Sequence, residues 1–316
     1  MTSRPLVTLA LVAYNQERFI AEAITSALAQ DYSPLEIVFS DDCSTDETWA
    51  MMQKAAGEYS GPHTIVLNRN PENLHIGGHV NTVNRLARGE LVVAAAGDDI
   101  SAPHRVRTLV DAWLSSGKMA GVLHSACTLI TENGEVIRQF ACPCLAQLAS
   151  LAQAAKHPAF VIGATEAWSK AIFDRFGDLR RDMVHEDHAL GFRSLLAGMP
   201  IVYVDQPLVF YRQGSGISTV YGSSHVRPKD RKTMLKRYWI DAQQKLDDLK
   251  AIPNPAIEPI VRKVARRYQI ALAFEEDFPG LSEGTRMVRD VGLSYVARMT
   301  LKRIRNSWRD SKSSAV

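Results

Sequence analysis

Leu91-Val-Val-Ala-Ala-Ala-Gly-Asp-Asp-Ile100 decides the fold. Six apolar residues follow one another with no polar alternation, which predicts a strand covered on both faces. Gly97 ends the run, and Asp98 and Asp99 emerge at the C-terminal edge of that strand, where ligands bind in open α/β sheets. Two adjacent carboxylates repel each other and call for a cation. Hard oxygen donors suit Mg²⁺ or Mn²⁺, which commonly bridge phosphate oxygens. The competing reading is a solvated loop in which Asp99 caps a helix starting near Pro103.

Outward from that stretch the same grammar repeats. Val7–Ala13 is a second buried-strand run, ended by Tyr14-Asn15, and from Glu17 the pattern becomes helical, with Phe19, Ile20, Ala23, Ile24, Ala27 and Leu28 on one face. Glu36-Ile-Val-Phe-Ser40 is a strand that delivers Asp41-Asp42, and Ser44 with Glu47 three residues on reads as a capping box opening the next helix. Thr64–Leu67 is a short strand, and a helix covers Asn81–Arg88. Strands and helices in alternation with short connections predict a mostly parallel sheet with helices on both faces. A dinucleotide fold needs G-x-G-x-x-G after the first strand, and Ala13-Tyr-Asn-Gln-Glu17 stands there instead. Any nucleotide is therefore bound by side chains. Gly121–Ile130, the Glu132-Asn-Gly134 turn and Glu135–Ile137 predict a hairpin. Tyr238–Leu249 and Glu258–Phe274 are helical, separated by Pro253 and Pro255.

The 316 residues are 46% hydrophobic and 22% charged, which allows a substantial core. Met1-Thr-Ser-Arg-Pro5 runs straight into a strand, so no signal peptide is expected, and no apolar run spans a bilayer. Cys43, Cys127, Cys142 and Cys144 lack metal spacing, and a reducing cytoplasm is the expected setting. No nucleic-acid partner is expected. The net charge of +3 conceals a basic tail: from Arg286 onward eight arginines and lysines face only Asp290 and Asp310. Val296, Met299, Leu301, Ile304 and Trp308 lie among them, a composition suited to a peripheral contact with an anionic membrane surface, to packing on the domain, or to a partner.

Taken together, Ala13-Tyr14-Asn15, Asp41-Asp42-x-Ser44-x-Asp46, Asn73 with Gly77-Gly78 and Asn81, Gly89, Gly97-Asp98-Asp99, Glu186-Asp187 and Tyr211-Arg212 with Ser218 resemble glycosyltransferase family 2 in order and spacing. The resemblance covers roughly residues 5–220. It implies the GT-A fold, a catalytic domain over 1–224 and inverting transfer of a sugar from a UDP- or dTDP-sugar; beyond about residue 225 it ends, and the helical patterns there define a C-terminal helical region over 225–316. It further implies a saccharide or lipid-linked saccharide acceptor in bacterial surface-polysaccharide synthesis. Carried over residue by residue, Asp42 would accept the N3–H of the base, with Asp41 able to do the same, and Tyr14 would cover the base. Ala13, Asn15, Glu17, Asn73 and Gly78 fall among the donor-binding positions. Asp98 would face ribose or sugar hydroxyls, and Asp99 would bind the metal bridging the phosphates.

Asp187, at a helix N-terminus that favours its negative charge, would be the general base that deprotonates the acceptor hydroxyl; Glu186 competes for the role. Arg212 would clamp a phosphate as the Gln213–Ser218 loop closes. Many members carry a histidine two positions after that arginine as a further metal ligand. Gly214 stands there instead, so either another group, such as His225, completes the coordination or the metal is held loosely, and metal dependence is open. His185 and His188 at i and i+3 could suggest a separate metal site, the weaker reading. His124 is expected in the core, and Phe160–Gly163 with Trp168 at the acceptor side or in the core. The alternatives are a nucleotidyltransferase, for which the first turn lacks a glycine- and lysine-rich phosphate loop, and a catalytically inactive nucleotide-sugar binder or interaction protein.

Overall fold

In the computed structural model, which describes residues 4–141, 150–156, 161–214 and 228–276, β1 (Val7–Ala13) lies between β2 (Leu35–Asp41) and β4 (Leu91–Ala96), parallel to both. Beyond β2 runs β3 (Thr64–Arg69), also parallel. The chain steps outward from β1 to β3, then returns to the opposite side of β1 for β4. That reversal opens a crevice at the C-terminal ends of β1 and β4. The unbroken apolar runs have the predicted consequence: Leu9, Ile37 and Val93 are fully buried. Between the strands lie α1 (Ile20–Leu28), α2 (Thr48–Glu58) and α3 (His75–Leu86). The apolar stripe Ile20, Ala23, Ile24 and Ala27 of α1 joins the core.

The rest of the sheet is mixed. β5 (Ile100–Ser101) and α4 (Arg105–Ser115) follow the acidic pair. Then come β6 (Val122–Ile130), β7 (Val136–Phe140), α5 (Leu151–Lys156), β8 (Ala167–Ser169), α6 (Ala171–Phe176), α7 (Glu186–Leu196) and β9 (Ile201–Arg212). The strand order is β3-β2-β1-β4-β8-β6-β9-β5, with β7 beside β6. β8 runs antiparallel to both β4 and β6, whereas β6 and β9 are parallel. The hairpin expected around Gly134 joins β6 to β7, and Gly134 takes the positive φ of 84° that the turn needs. Ile201–Val204 and Pro207–Phe210 form one strand, β9, whose register against β6 slips around Pro207, a residue with no N–H to donate.

Two expectations change on contact with tertiary structure. The mostly parallel sheet holds for β3-β2-β1-β4 but not beyond β4. And α2 starts at Thr48 rather than just after Ser44: Ser44 Oγ accepts from Asn15 N–H, and Asp46 Oδ1 takes the Thr48 N–H at 3.0 Å in its place.

The chain divides into two compact units, Met1–Gly222 and Ser223–Val316. Within the second, α8 (Pro228–Ala251) and α9 (Glu258–Glu276) pack as an antiparallel pair, with Tyr238 against Tyr268 at 5.5 Å between rings and Arg231 paired to Glu275 at 3.0 Å. Among the described residues no helix is long and apolar enough to cross a membrane. Cys142, Cys144, Phe160, the Ser215–Ser218 part of the loop, His225 and the basic tail lie outside the described residues.

Candidate active site

Two loops build the floor of the crevice by each donating backbone N–H groups to side-chain oxygens of the other. Asn15, Gln16 and Glu17 donate their N–H groups to Ser44 Oγ, Thr48 Oγ1 and Asp46 Oδ2, and in return Thr45 and Glu47 donate theirs to Asn15 Oδ1 and Glu17 Oε2. Asn15 holds a positive φ of 52°, which its side-chain bond to Thr45 N–H sustains. Asn15 and Glu17 are thus used to lock the loop, while Tyr14 between the strand and the lock is left 45% exposed.

The two carboxylates after β2 part company. Asp41 is fully buried: Oδ2 accepts from Ser44 N–H at 2.9 Å and faces Arg69 at 3.4 Å, so it braces the turn from beneath. Asp42 donates its own N–H to the Ala13 carbonyl, which sets it at the end of β1. Its Oδ1 accepts from Asn70 Nδ2 at 2.7 Å and from Leu74 N–H at 2.9 Å. No described residue hydrogen-bonds its Oδ2, and the buried Asp41 Oδ1 likewise has no partner.

Asp98 and Asp99 stand across the crevice, 7% and 5% exposed. Gly97, whose N–H goes to Val12 O, brings β4 so close to the first loop that a Cβ there would lie 2.4 Å from Gln16 Oε1. Asp99 Oδ1 accepts from Arg212 N–H at 2.8 Å, whereas Oδ2 is buried with no hydrogen-bond partner. Burial first, then repulsion from Asp98, pushes the Asp99 carboxyl well above the usual carboxylate range; Arg212 and Arg105 counter only part of it. An orphaned hard oxygen beside a second carboxylate fits a divalent cation.

Arg212 does not point at open space. Its Nε donates to Asp98 O, one Nη to the Thr131 and Glu132 carbonyls and the other to Glu22 Oε2 at 2.6 Å, and the guanidinium stacks 4.7 Å from the Phe19 ring centre. In this conformation it braces the acidic loop from behind rather than offering a free fork to phosphate.

Asp187 lies in the first turn of α7. Oδ1 accepts from His188 N–H at 2.8 Å and Oδ2 from Gly163 N–H at 3.1 Å. Gly163 belongs to the turn Gly163–Thr165, which continues into Glu166, and the Glu166 carbonyl accepts from Ala94 N–H on β4. Base candidate and acidic pair therefore hang from the same strand. Sequence reasoning missed two residues between them. Arg105, 1% exposed, donates to Ser101 Oγ at 3.0 Å and to Ala164 O at 3.1 Å, and is attracted by both Asp99 and Glu166. Glu166 is wholly buried with neither oxygen bonded, and burial, then Glu186 and Asp187, raises its carboxyl well above the usual range.

Gly77, Gly78 and Asn81 on α3 pack against the chain that precedes Asp187. A Cβ on Gly77 would lie 2.2 Å from the Arg180 carbonyl, one on Gly78 would lie 2.9 Å from Leu74 Cβ and 3.4 Å from Arg181, and Asn81 makes a two-way amide pair with Leu179. They seat α3 against the segment that leads to Asp187. Asn73 Oδ1 accepts from His75 N–H. His124 is fully buried beside Tyr203, and Trp168 is 2% exposed with its N–H on Asn84, so both are core residues.

This architecture is that of the GT-A glycosyltransferases. The sequence model of glycosyl transferase family 2 matches residues 8–141. The succinoglycan biosynthesis protein ExoO of Rhizobium meliloti (strain 1021) is 32% identical over 174 residues, 54% of this chain and 48% of that protein. The crystal structure of S. aureus TarS 1-349 in complex with UDP-GlcNAc superposes with a TM-score of 0.61 at 17% identity, covering 96% of this chain and 92% of that one. The mannosyltransferase PcManGT from Pyrobaculum calidifontis, in complex with GDP-Man and Mn²⁺, gives 0.56 at 19% identity over 96% and 88% of the two chains. The chain spans about half the length of the curated relatives it matches.

Proposed function

We propose that the chain is an inverting glycosyltransferase that moves a sugar from a UDP- or dTDP-sugar to an acceptor hydroxyl during polysaccharide assembly. The observation that carries this reading is Asp99 Oδ2: buried, unpartnered, beside Asp98, and at the point where the strand order reverses. Asp99 would hold Mg²⁺ or Mn²⁺, which when bound neutralises charge growing on the departing nucleoside diphosphate. Among the described residues Asp98 and Asp99 are the hard oxygen donors that would hold the cation there.

The chain's own groups do the rest. The exposed Tyr14 ring covers the base, and Asp42 Oδ2 accepts its N3–H. Asp98 faces ribose or sugar hydroxyls. Asp187 takes the acceptor hydroxyl's proton as that oxygen attacks the anomeric carbon. Each of its oxygens already accepts one backbone N–H, which fixes the carboxylate and leaves one lone pair apiece for the substrate. A saccharide or lipid-linked saccharide is the acceptor, and the basic tail holds the protein on an anionic membrane surface. The name of ExoO supports the polysaccharide setting.

Thermal shift against UDP-, dTDP- and GDP-sugars, with and without Mn²⁺, tests the donor, and Asp187→Asn tests the base. The variant should lose transfer and keep nucleotide binding. A wild type that ignores every nucleotide, or a variant that still transfers, overturns the proposal. Flotation with anionic liposomes, with and without the residues after 285, tests the tail; equal flotation removes the membrane contact.

A further inference from the structure

A line of polar side chains runs behind Asp42, under β2 and β3. His79 on α3, 6% exposed, places Nε2 at 2.7 Å from Oγ of the fully buried Ser40. Asn68 Nδ2 donates to that Oγ at 2.9 Å and to Asn70 Oδ1 at 3.1 Å, and Asn70 Nδ2 donates to Asp42 Oδ1 at 2.7 Å. Counting hydrogens orients the line. Asn68 spends both amide hydrogens, so the Ser40 hydroxyl has its own hydrogen left for His79 Nε2. Because Asn68 occupies the oxygen of Asn70, only the amino end of that amide can face Asp42. Burial keeps His79 below its ordinary pKa, against the pull of Asp42 and Asp41, which suits an imidazole that accepts at Nε2.

We propose that His79, Ser40 and Asn68 are positioning residues that set base selectivity, by fixing Asp42 so that only Oδ2 is offered and only in one direction. This rests on Asp42 reading the base. Uracil and thymine present a donor at N3; cytosine presents an acceptor there and a donor at the neighbouring exocyclic amine. A carboxylate free to rotate can follow that amine, whereas one clamped by Asn70 and by Leu74 N–H cannot.

Calorimetric titration with UDP and CDP tests the idea, because the diphosphate is common to both and cancels in the ratio of their dissociation constants. The wild type should prefer UDP. His79→Ala and Asn68→Ala should cut that preference by about tenfold, the scale of one buried hydrogen bond. His79→Gln, which can still accept from Ser40, should restore most of it. Ser40→Ala removes one hydroxyl with little volume and should also reduce the preference, which keeps the test open if His79→Ala does not fold. Variants that melt earlier but keep the wild-type ratio would show a purely structural line and overturn the inference. A wild type that binds both nucleotides equally would instead sink the base-reading role of Asp42.

Discussion

Gly163 donates its N–H to Asp187 Oδ2 at 3.1 Å, so the proposed base is held by a turn on the far side of β4 as well as by its own helix. Arg105 holds that turn in place through the Ala164 carbonyl, and the same guanidinium grips Ser101, two residues past Asp99. One buried side chain therefore ties the metal-binding candidate to the base. Arg105→Met should lower kcat for transfer by about 10- to 100-fold, since a displacement of the order of 1 Å at a catalytic group costs on that scale. The donor KM should change far less. Arg105→Lys keeps the charge but cannot reach both partners, and should fall between. Steady-state kinetics decide the matter, with circular dichroism to establish that the variants fold; an unchanged kcat removes Arg105 from the account.

Glu166 makes a prediction about stability and pH. Its carboxyl is wholly buried, without a hydrogen bond and near Glu186 and Asp187, so it stays protonated in the folded chain at pH values where the unfolded chain has released the proton. Its folded pKa is raised, and the sign follows: stability is fully present below the ordinary glutamate value of 4.5 and declines as pH rises through the window above it. Glu166→Gln has nearly the same shape and nothing to ionise. Its melting temperature relative to wild type should therefore be higher at pH 8 than at pH 5. Equal differences at the two pH values would mean that Glu166 is ionised in the fold.

The strands were legible because short unbroken apolar runs ended by glycine or paired acids, in alternation with helical patterns, fit a sheet covered on both faces. The order Ala13-Tyr14-Asn15, Asp42, Asp99, Asp187 was legible for a related reason: each falls at or near the end of an element. What stayed hidden depends on long-range contacts. Arg105 sits in an ordinary amphipathic helix, and its partner Ala164 is 59 residues away. Arg212 looked like a free phosphate clamp, and only tertiary structure supplies Glu22, 190 residues earlier. Asp41 and Asp42 could not be ranked from sequence, because which side chain of a strand end faces the ligand depends on the neighbouring loop. The Ser44–Glu47 capping box is a sound local motif that lost to the stronger demand of Asn15 for Ser44 Oγ.

Gly77 tests whether α3 positions the base segment. A Cβ at 77 would sit 2.2 Å from the Arg180 carbonyl oxygen and 2.9 Å from Met183 Cβ, and the Gly77 N–H already bonds Met183 O. The first clash is with backbone, which cannot rotate away. Gly77→Ala should destabilise by roughly 1–3 kcal/mol, the usual cost of overpacking, read as a lowered denaturation midpoint. Transfer and nucleotide binding should both fall, because Gly77 packs on the segment that leads to Asp187 and lies between Leu74 and His79, which hold Asp42. Gly57→Ala, where nothing lies within 4 Å, is the matched control and should be neutral or slightly stabilising within its helix.

Asp99→Asn separates stability from function at the acidic pair. In the metal-free protein Asp99 is strained by burial and by Asp98, and its raised pKa means that stability is lost as pH climbs above the ordinary carboxylate range. An asparagine removes the charge, can keep an oxygen for the Arg212 N–H, and turns its amide hydrogens toward Asp98. The metal-free variant should thus melt at or above the wild-type temperature at neutral pH. The stabilisation of the wild type by Mn²⁺ in the presence of UDP should vanish in the variant, since a neutral amide is a poor partner for a hard dication. Transfer should vanish with it. If the variant still responds to Mn²⁺ as the wild type does, the cation is bound elsewhere and Asp99 is a structural acid; if the metal-free variant melts well below wild type, the repulsion assigned to the pair is not what shapes this site.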